Sequence, residues 1–172
     1  MWIRVLALAD WFAVVGDMAT GGADRFLTAA TALGVEVAPV VYPDGTRTAA
    51  DAAAAIGCEL AQIVKSLMVI TDQGPVLALT AGHHRLDLDR LGECVGSSAR
   101  MANADEARTW TGYAIGGTPP FGHPQPIPTL IDPALLEHEV VYAAGGTPDR
   151  CFPIGSQTLL SVTGARPAAF VA

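Results

Sequence analysis

The sequence has 172 residues, of which 51% are hydrophobic and 16% are charged. This length is typical of one compact domain with a full core, and the composition is too apolar for a disordered chain. The 18 glycines and 12 prolines follow no period, which excludes a collagen-like protein. Acidic residues outnumber basic ones by 17 to 10, and the resulting formal net charge of -7 argues against a DNA-binding surface.

The N-terminal segment is the one stretch that could be a targeting or membrane element. Residues 2–16 read WIRVLALADWFAVVG, with Arg4 and Asp10 as the only charges. A membrane span needs about 20 apolar residues, and a signal peptide needs a basic start and a small-residue cleavage site. Neither pattern is met, so we expect no membrane partner. We interpret residues 1–17 as an extension, or as the product of a start upstream of Met18, and residues 18–172 as a single domain.

The cysteines indicate a reducing compartment. Cys58, Cys94 and Cys151 are odd in number and widely spaced, and they form no CxxC or CxxH pattern. Such usage is typical of a cytoplasmic protein without a structural zinc site. We therefore expect a cytoplasmic location.

The four histidines do not indicate a metal site either. His83 and His84 are adjacent, and neighbouring side chains on an extended chain are expected to point apart. We interpret these two as loop or helix-cap residues, and His123 and His138 as solvated. The sequence thus predicts no metal and no cofactor.

The first half of the domain predicts short helices that alternate with short strands. In chain order we predict a helix at 24–33, a strand at 35–42, an alanine-rich helix from Thr48 to Gly57, a helix at 59–64, and a strand hairpin at 66–71 and 75–80. Gly34 is expected to end the first helix, because glycine readily adopts the left-handed cap conformation. Thr48 and Asp51 have the spacing of a capping box. The hairpin strands are expected to be central in the sheet.

The second half is interrupted by a long irregular loop. Residues 112–128 contain four glycines and five prolines, which is too many for a regular element. Around this loop we predict a helix at 87–95, a strand at 99–102, a helix capped by Asn103 and Glu106, strands at 129–131, 139–144 and 151–154, a short helix from Pro133, and a last helix capped by Ser156. Six or seven strands with about five helices indicate an α+β fold with a mixed sheet.

Lys65 is the most informative single residue. It is the only lysine in the chain, while nine arginines occupy the other basic positions. It lies in the apolar stretch QIVKSLMVI, at a predicted junction of helix and strand. A compact ammonium group kept in such surroundings is typical of a functional site. The alternative is a lysine whose side chain extends from the sheet edge to water.

The loop TGYAIGGTPPFGHPQPIP, residues 111–128, is the second candidate. Paired glycines allow a backbone to approach a ligand with its N–H groups, and adjacent prolines stiffen the chain around them. The loop matches neither a P-loop nor a dinucleotide fingerprint. It therefore predicts an oxyanion or phosphate cradle, or else an ordinary rigid surface loop.

No protein nucleophile is indicated. The G-x-S-x-G elbow is absent, and none of the three cysteines has the sequence context of a catalytic thiol. The cysteines are interpreted as small buried apolar residues.

Taken together, four stretches resemble the YbaK family, the free-standing relatives of the prolyl-tRNA synthetase editing insertion domain. They are Lys65-Ser66-Leu67, LDLDRLG at 86–92, TGYAIGGTPPFG at 111–122 and PTLIDPALL at 128–136. The similarity follows the family's order from about residue 25 to residue 164. It implies a mostly antiparallel, barrel-like mixed sheet surrounded by helices, with one pocket.

The resemblance also implies the site residues. The lysine that matches Lys65 is the principal polar residue of the family's pocket, and the loop that matches 116–120 lies against the aminoacyl group. We assign catalytic roles to Lys65, Gly116 and Gly117. Substrate-binding positions are assigned to Tyr42, Ser66, Thr118, Pro120, Phe121, Gly122, Ala144 and Cys151.

The amino-acid preference is less defined than the reaction. Some members that clear Cys-tRNA have a serine and a later aspartate where this sequence has Ala144 and Cys151. The resemblance therefore implies a deacylase that acts in trans on tRNA charged with a small wrong amino acid, such as Cys, Ala or Ser. An activated ester needs no protein nucleophile, only an oriented carbonyl and a placed water or substrate group.

Two partners and one alternative function follow. The acidic chain is expected to hold only the acceptor end of the aminoacyl-tRNA, near Lys65 and arginines such as Arg47 or Arg85, with a synthetase as a further partner. The alternative is a non-catalytic module that binds aminoacyl-adenosine, the tRNA end or a synthetase.

Overall fold

The computed structural model describes residues 21–42 and 46–172, so the expectations for residues 1–17 lie outside the described residues. The helices are α1 (Gly22–Ala32), α2 (Ala49–Ile56), α3 (Leu88–Val95), α4 (Ala104–Thr111) and α5 (Ser156–Thr163). The strands are β1 (Val40–Val41), β2 (Ile63–Thr71), β3 (Gly74–Ala81), β4 (Ala99–Met101), β5 (Thr129–Ile131), β6 (Val140–Ala144), β7 (Arg150–Gly155) and β8 (Arg166–Pro167). Two short 3-10 helices cover Leu60–Gln62 and Pro133–Glu137.

One mixed sheet contains all eight described strands, in the order β1-β7-β6-β2-β3-β5-β8, with β4 also paired to β2. The predicted hairpin is its centre, because β2 and β3 pair antiparallel from Val64↔Ala81 to Thr71↔Gly74. The β2/β6, β3/β5 and β5/β8 pairs are parallel. The α+β class and the five helices are confirmed. The described strands number eight rather than six or seven. Strands β1 and β8 are the first and last in the strand order of the sheet.

The helix ends follow the local sequence chemistry. The Thr48 hydroxyl accepts the Asp51 N–H while the Asp51 carboxylate accepts the Thr48 N–H, and Gly57 ends α2 in the left-handed conformation. Asn103 and Glu106 form a second capping box at the start of α4. Both predicted boxes are confirmed, as expected for motifs that depend on only four consecutive residues.

Three predicted elements differ from the structure. Only Val40–Val41 of the 35–42 stretch forms a strand. Its register places Val40 opposite Cys151, so a strand extended by two residues would bring residue 38 opposite Pro153, which has no N–H to donate. The predicted helix at 59–64 is one 3-10 turn, and its last two residues belong to β2. Ser156 is the first residue of α5, while Gly155 takes the cap position.

The two faces of the sheet carry separate hydrophobic clusters. Phe26, Phe121 and Phe152 pack together in the larger cluster, with ring centroids 4.8 to 5.9 Å apart. The smaller cluster lies around Val69 and Phe170 on the other face. Because successive strand residues point to opposite faces, β2 contributes to both clusters. Lys65 lies on the face of Val69, and Ser66 lies on the face of the larger cluster.

Candidate active site

A cavity of about 300 Å³ opens where β2 and β6 separate. Its walls come from the edge of β2, the ends of β6 and β7, the start of α2, and the Gly/Pro loop. Seven of the eleven predicted site residues line it: Tyr42, Lys65, Ser66, Gly116, Thr118, Ala144 and Cys151. The structure therefore brings the only lysine and the first loop glycine to one cavity.

The other four predicted residues lie outside the cavity lining and have packing roles. The Gly117 N–H donates to the Ala114 carbonyl at 3.0 Å, so it is already used within the loop. Phe121 is buried in the larger hydrophobic cluster. Pro120 and Gly122 lie with Phe121 at a separate groove beside α1. A direct contact between these four residues and a substrate in this cavity is therefore not supported.

The β6/β7 turn forms a close-packed part of the cavity wall. A Cβ atom on Gly117 would lie 2.7 Å from the Thr147 Cα. On the other side of the turn, a Cβ atom on Gly146 would lie 2.3 Å from the Gly22 carbonyl oxygen, and Gly146 has a φ of 97°. The turn is thus held between the loop and the start of α1, and Pro148 of this turn faces the cavity.

Lys65 is fixed by a hydrogen-bonded chain that sequence reasoning missed. Its Nζ donates to the His84 carbonyl at 2.5 Å. The His84 Nδ1 lies 2.7 Å from Oδ2 of Asp132, a residue only 1% exposed. The same carboxylate accepts the Ala81 and Ala134 N–H groups at 3.1 and 3.0 Å. The fold therefore positions the ammonium group through the segment after β3.

The sequence contains only a weak signal for these hydrogen bonds between Lys65, His84 and Asp132. Asp132 was part of the PTLIDPALL stretch, where an Asp-Pro pair also indicates an ordinary helix start, and the structure confirms that cap. The His83 and His84 rings do not point apart as expected, because their centroids lie 3.9 Å from each other. His123 is partly buried rather than solvated, and its Nε2 lies 2.8 Å from the Pro119 carbonyl oxygen.

Burial lowers the pKa of Lys65 below its ordinary value, and the nearby Arg85 adds to the decrease while Asp132 opposes it. Because Lys65 is the only lysine, reductive methylation with ¹³C labels this side chain and the N-terminal amine. We expect the Lys65 methyl resonance to titrate below the usual lysine pKa of about 10.4. Between those two pKa values the unfolded chain binds more protons, so the free energy of unfolding should rise with pH. A titration at or above the ordinary value would contradict the burial argument.

The described lining residues carry only positive charge. Arg47, beside the N-terminus of α2, and Arg150 of β7 join Lys65, and no Asp or Glu occurs among the described lining residues. Arg150 is only loosely paired, with its Nε 3.4 Å from Asp149. On a chain with a net charge of -7, this local excess of cations favours an anionic ligand at this cavity.

The thiols near the cavity are poor nucleophiles. Burial raises the pKa of Cys151, and burial together with its hydrogen bond to Cys151 raises the pKa of Tyr42. Burial also raises the pKa of Cys58. Because the thiolate is the reactive form, a protonated Cys151 fits the expected role of a buried apolar residue. The described residues contain no group of three His, Cys, Asp or Glu side chains that could hold a metal ion.

Comparison with known proteins shows similarity over most of this chain. Residues 43–162 match the model of the aminoacyl-tRNA editing domain. The chain belongs to this family. The resemblance to the YbaK family and to the prolyl-tRNA synthetase editing domain is thereby confirmed. The matched range includes Lys65 and the Gly/Pro loop.

Individual relatives of this editing domain cover most of its length. A protein of Enterococcus faecalis described as a candidate Cys-tRNA(Pro)/Cys-tRNA(Cys) deacylase is 26% identical, over 67% of this chain and 72% of its own. The proline–tRNA ligase of Acidithiobacillus ferrooxidans is 34% identical over 60% of this chain, which matches 18% of the ligase. A crystal structure described as a candidate trans-editing enzyme for prolyl-tRNA synthetase is 42% identical, with a TM-score of 0.85 over 89% of this chain and 98% of the other.

In the part of the chain that the structure describes, no helix has the length and apolarity of a membrane span. This finding concerns residues 21–42 and 46–172 only.

Proposed function

We propose that this editing domain acts in trans as a hydrolase that removes a small wrong amino acid, such as Cys, Ala or Ser, from tRNA. The observation that carries the proposal is the cavity around Lys65, whose described lining residues include three cations and no carboxylate, on a chain that is acidic as a whole. The relatives described above as a candidate deacylase and a candidate trans-editing enzyme support the same class of reaction. Three free cysteines support a cytoplasmic site of action.

The cavity size supports a ligand that enters only by its end. A volume of about 300 Å³ lies at the small limit of ordinary ligand pockets, which is enough for an amino acid with part of a ribose. The acceptor end of tRNA offers this shape, with phosphates next to it for Arg47 and Arg150. A second site that selects by size is useful because one methylene changes the free energy of a single binding step by only about 1 to 3 kcal/mol.

The chemistry needs no covalent intermediate on the protein. Water, or a hydroxyl or thiol of the substrate, adds to the ester carbonyl carbon, and the bond to the ribose oxygen breaks as that oxygen takes a proton. Lys65 stabilises the negative charge of the carbonyl oxygen or of the neighbouring phosphate. The raised pKa of Cys151 supports a mechanism without a protein thiolate.

A panel of mischarged tRNAs tests the proposal. The chain is incubated with Cys-, Ala- and Ser-charged tRNA(Pro) and with correctly charged Pro-tRNA(Pro), and free amino acid is measured against time. We expect release of at least one of the three small amino acids at several times the spontaneous rate, with Pro-tRNA(Pro) spared. No release from any mischarged tRNA contradicts the proposal.

The second candidate function is a module that binds the aminoacyl end without turnover. The observation that favours it is Ala144 beside Cys151 in the cavity, where some family members carry a serine and an aspartate. A non-hydrolysable amide analogue of aminoacyl-adenosine separates the two functions. Tight binding of the analogue without release from the panel supports the binding module.

Arg47 is expected to contact a phosphate near the acceptor end. Arg47→Gln should raise KM for aminoacyl-tRNA severalfold, leave kcat close to wild type, and reduce the slope of log affinity against log salt by about 1. Arg108→Gln is the matched control, because Arg108 is exposed on α4 outside the cavity lining. Equal KM values for the two variants would show that Arg47 is not part of the binding site.

A further inference from the structure

The cavity lies at a gap between two parallel strands, and this gap exposes main-chain groups. The β2/β6 pairing stops after Val64↔Ala143, and the β2/β4 pairing begins only at Val69↔Met101. Between them, no described strand pairs with Ser66 on this edge of β2. Ser66 and Ala144 both line the cavity at the point where the strands separate.

The direction of the Ser66 main chain follows from its neighbours. The Met68 carbonyl accepts the Ala102 N–H at 3.0 Å, so it points away from β3. The N–H and C=O groups of alternate residues point to the same edge of a strand, and the register of β2 against β3 is continuous. The Ser66 N–H and C=O therefore point into the gap.

The same reasoning applies to Ala144 at the end of β6. The Gly145 N–H donates to the Arg150 carbonyl at 3.1 Å, so odd-numbered residues of this strand face β7. The Val140 carbonyl accepts from the Gln62 side chain on the opposite edge. Ala144 therefore directs its carbonyl toward β2, across the gap from Ser66.

The main chain of Ser66, and not its side chain, is the part of this residue that faces the gap. It lies on the face of the larger hydrophobic cluster, opposite to Lys65, and its Oγ is buried with no partner among the described residues. Its assignment as a substrate-binding residue is therefore better explained by its main chain.

We propose that the aminoacyl group completes the interrupted ladder, with its carbonyl oxygen accepting the Ser66 N–H and its α-ammonium group donating to the Ala144 carbonyl. This inference rests on the proposed function. An aminoacyl ester carries an α-ammonium group and a carbonyl on the same carbon. The ammonium group has three N–H donors and can rotate, so it can donate to one strand while the carbonyl oxygen accepts from the other, and the ligand fills the gap between two strands. Charge that develops on the carbonyl oxygen when water adds is then held by a fixed N–H dipole.

Main-chain recognition has a specific advantage for an editing site. It binds the part that all amino acids share and makes no demand on the side chain. The choice among amino acids is then left to the cavity walls, where Cys151 and the turn residue Pro148 set the available space.

An amide-to-ester replacement at Ser66 tests the donor. Semisynthesis or suppression with the α-hydroxy analogue of serine replaces the N–H by an oxygen and keeps the side chain. We expect kcat for deacylation to fall about 100-fold, within the range for loss of one oxyanion donor. The matched control is the same replacement at Ile70, which lies on the same edge of β2 but opposite Arg100 in the β4 ladder. Its rate should stay within twofold of wild type.

A binding measurement decides the case independently of turnover. The amide-linked analogue of alanyl-adenosine is titrated into ¹⁵N-labelled protein, and we expect the Ser66 amide proton to shift downfield and exchange more slowly. The desamino analogue, which lacks the α-ammonium group, should bind about tenfold more weakly if Ala144 accepts from it.

The outcomes separate the inference from the proposed function. An active wild type with an equally active Ser66 ester overturns the inference and leaves the function standing. A wild type without activity overturns the proposed function. The titration with the amide-linked analogue then tests the inference by itself, and a Ser66 amide resonance that does not shift overturns the inference. Equal affinities for the two analogues overturn the role of Ala144.

Discussion

Lys65→Met is expected to reduce the first-order rate constant for deacylation by about 100-fold or more, the loss typical of one preorganised electrostatic group. Methionine keeps an unbranched apolar side chain, so the variant removes the charge with little change in packing. The ammonium is held by a hydrogen bond to the His84 carbonyl, and Lys65 lines the cavity, so the charge has a fixed position that we expect a neighbouring arginine not to replace. Single-turnover hydrolysis of the mischarged tRNAs of the panel gives the rate constant directly.

Two further variants make this result specific. Arg108→Gln removes one positive charge from an exposed position of α4 and should leave the rate unchanged. Lys65→Arg keeps the charge but replaces the compact ammonium with a planar group, so we expect only partial activity. A Lys65→Met rate within threefold of wild type would exclude Lys65 from the chemical step.

Asp132→Ala is expected to lower the free energy of unfolding by about 2 to 4 kcal/mol, because three polar groups lose their acceptor in a buried place. Those groups are the N–H groups of Ala81 and Ala134 and the ring of His84. Urea unfolding followed by circular dichroism measures the change. The hydrolysis rate should fall as well, since the segment that fixes Lys65 loses its anchor.

Asp132→Asn separates the two effects. The amide oxygen retains one acceptor, so we expect a smaller loss of stability than for alanine. An Asp132→Ala protein that unfolds at the wild-type urea concentration would show that water or a neighbouring group replaces the carboxylate. A destabilised Asp132→Ala protein with the wild-type rate would show that Lys65 is positioned without it.

Local sequence chemistry predicted the features that depend on a few neighbouring residues. The capping boxes at Thr48 and Asn103 and the β2/β3 hairpin are confirmed because each is specified within a short stretch. Lys65 could be singled out because the rest of the chain uses only arginine. The structure places it in the same cavity as Gly116, and its catalytic role there stays a prediction.

Features that depend on distant residues could not be predicted in this way. Asp132 reaches His84 from 48 positions away in the sequence. The late start of β1 depends on Pro153, whose missing N–H matters only once the two strands are aligned. The sequence predicts one rigid loop at residues 112–128, whereas in the structure Phe121 belongs to the core and Gly117 packs on Thr147. A run of glycines and prolines indicates a rigid loop but does not tell which of its residues face a ligand.

The contacts of Gly146 with Gly22 and of Gly117 with Thr147 leave the β6/β7 turn almost no freedom to yield. A rigid cavity wall separates amino acids by size: a side chain that fits the cavity is bound, and a side chain that is one atom too large is excluded. We therefore expect a sharp upper limit of side-chain volume among accepted amino acids, rather than a gradual decline. To widen the range of amino acids that such a protein accepts, substitutions would have to loosen the packing of the β6/β7 turn as well as enlarge the cavity.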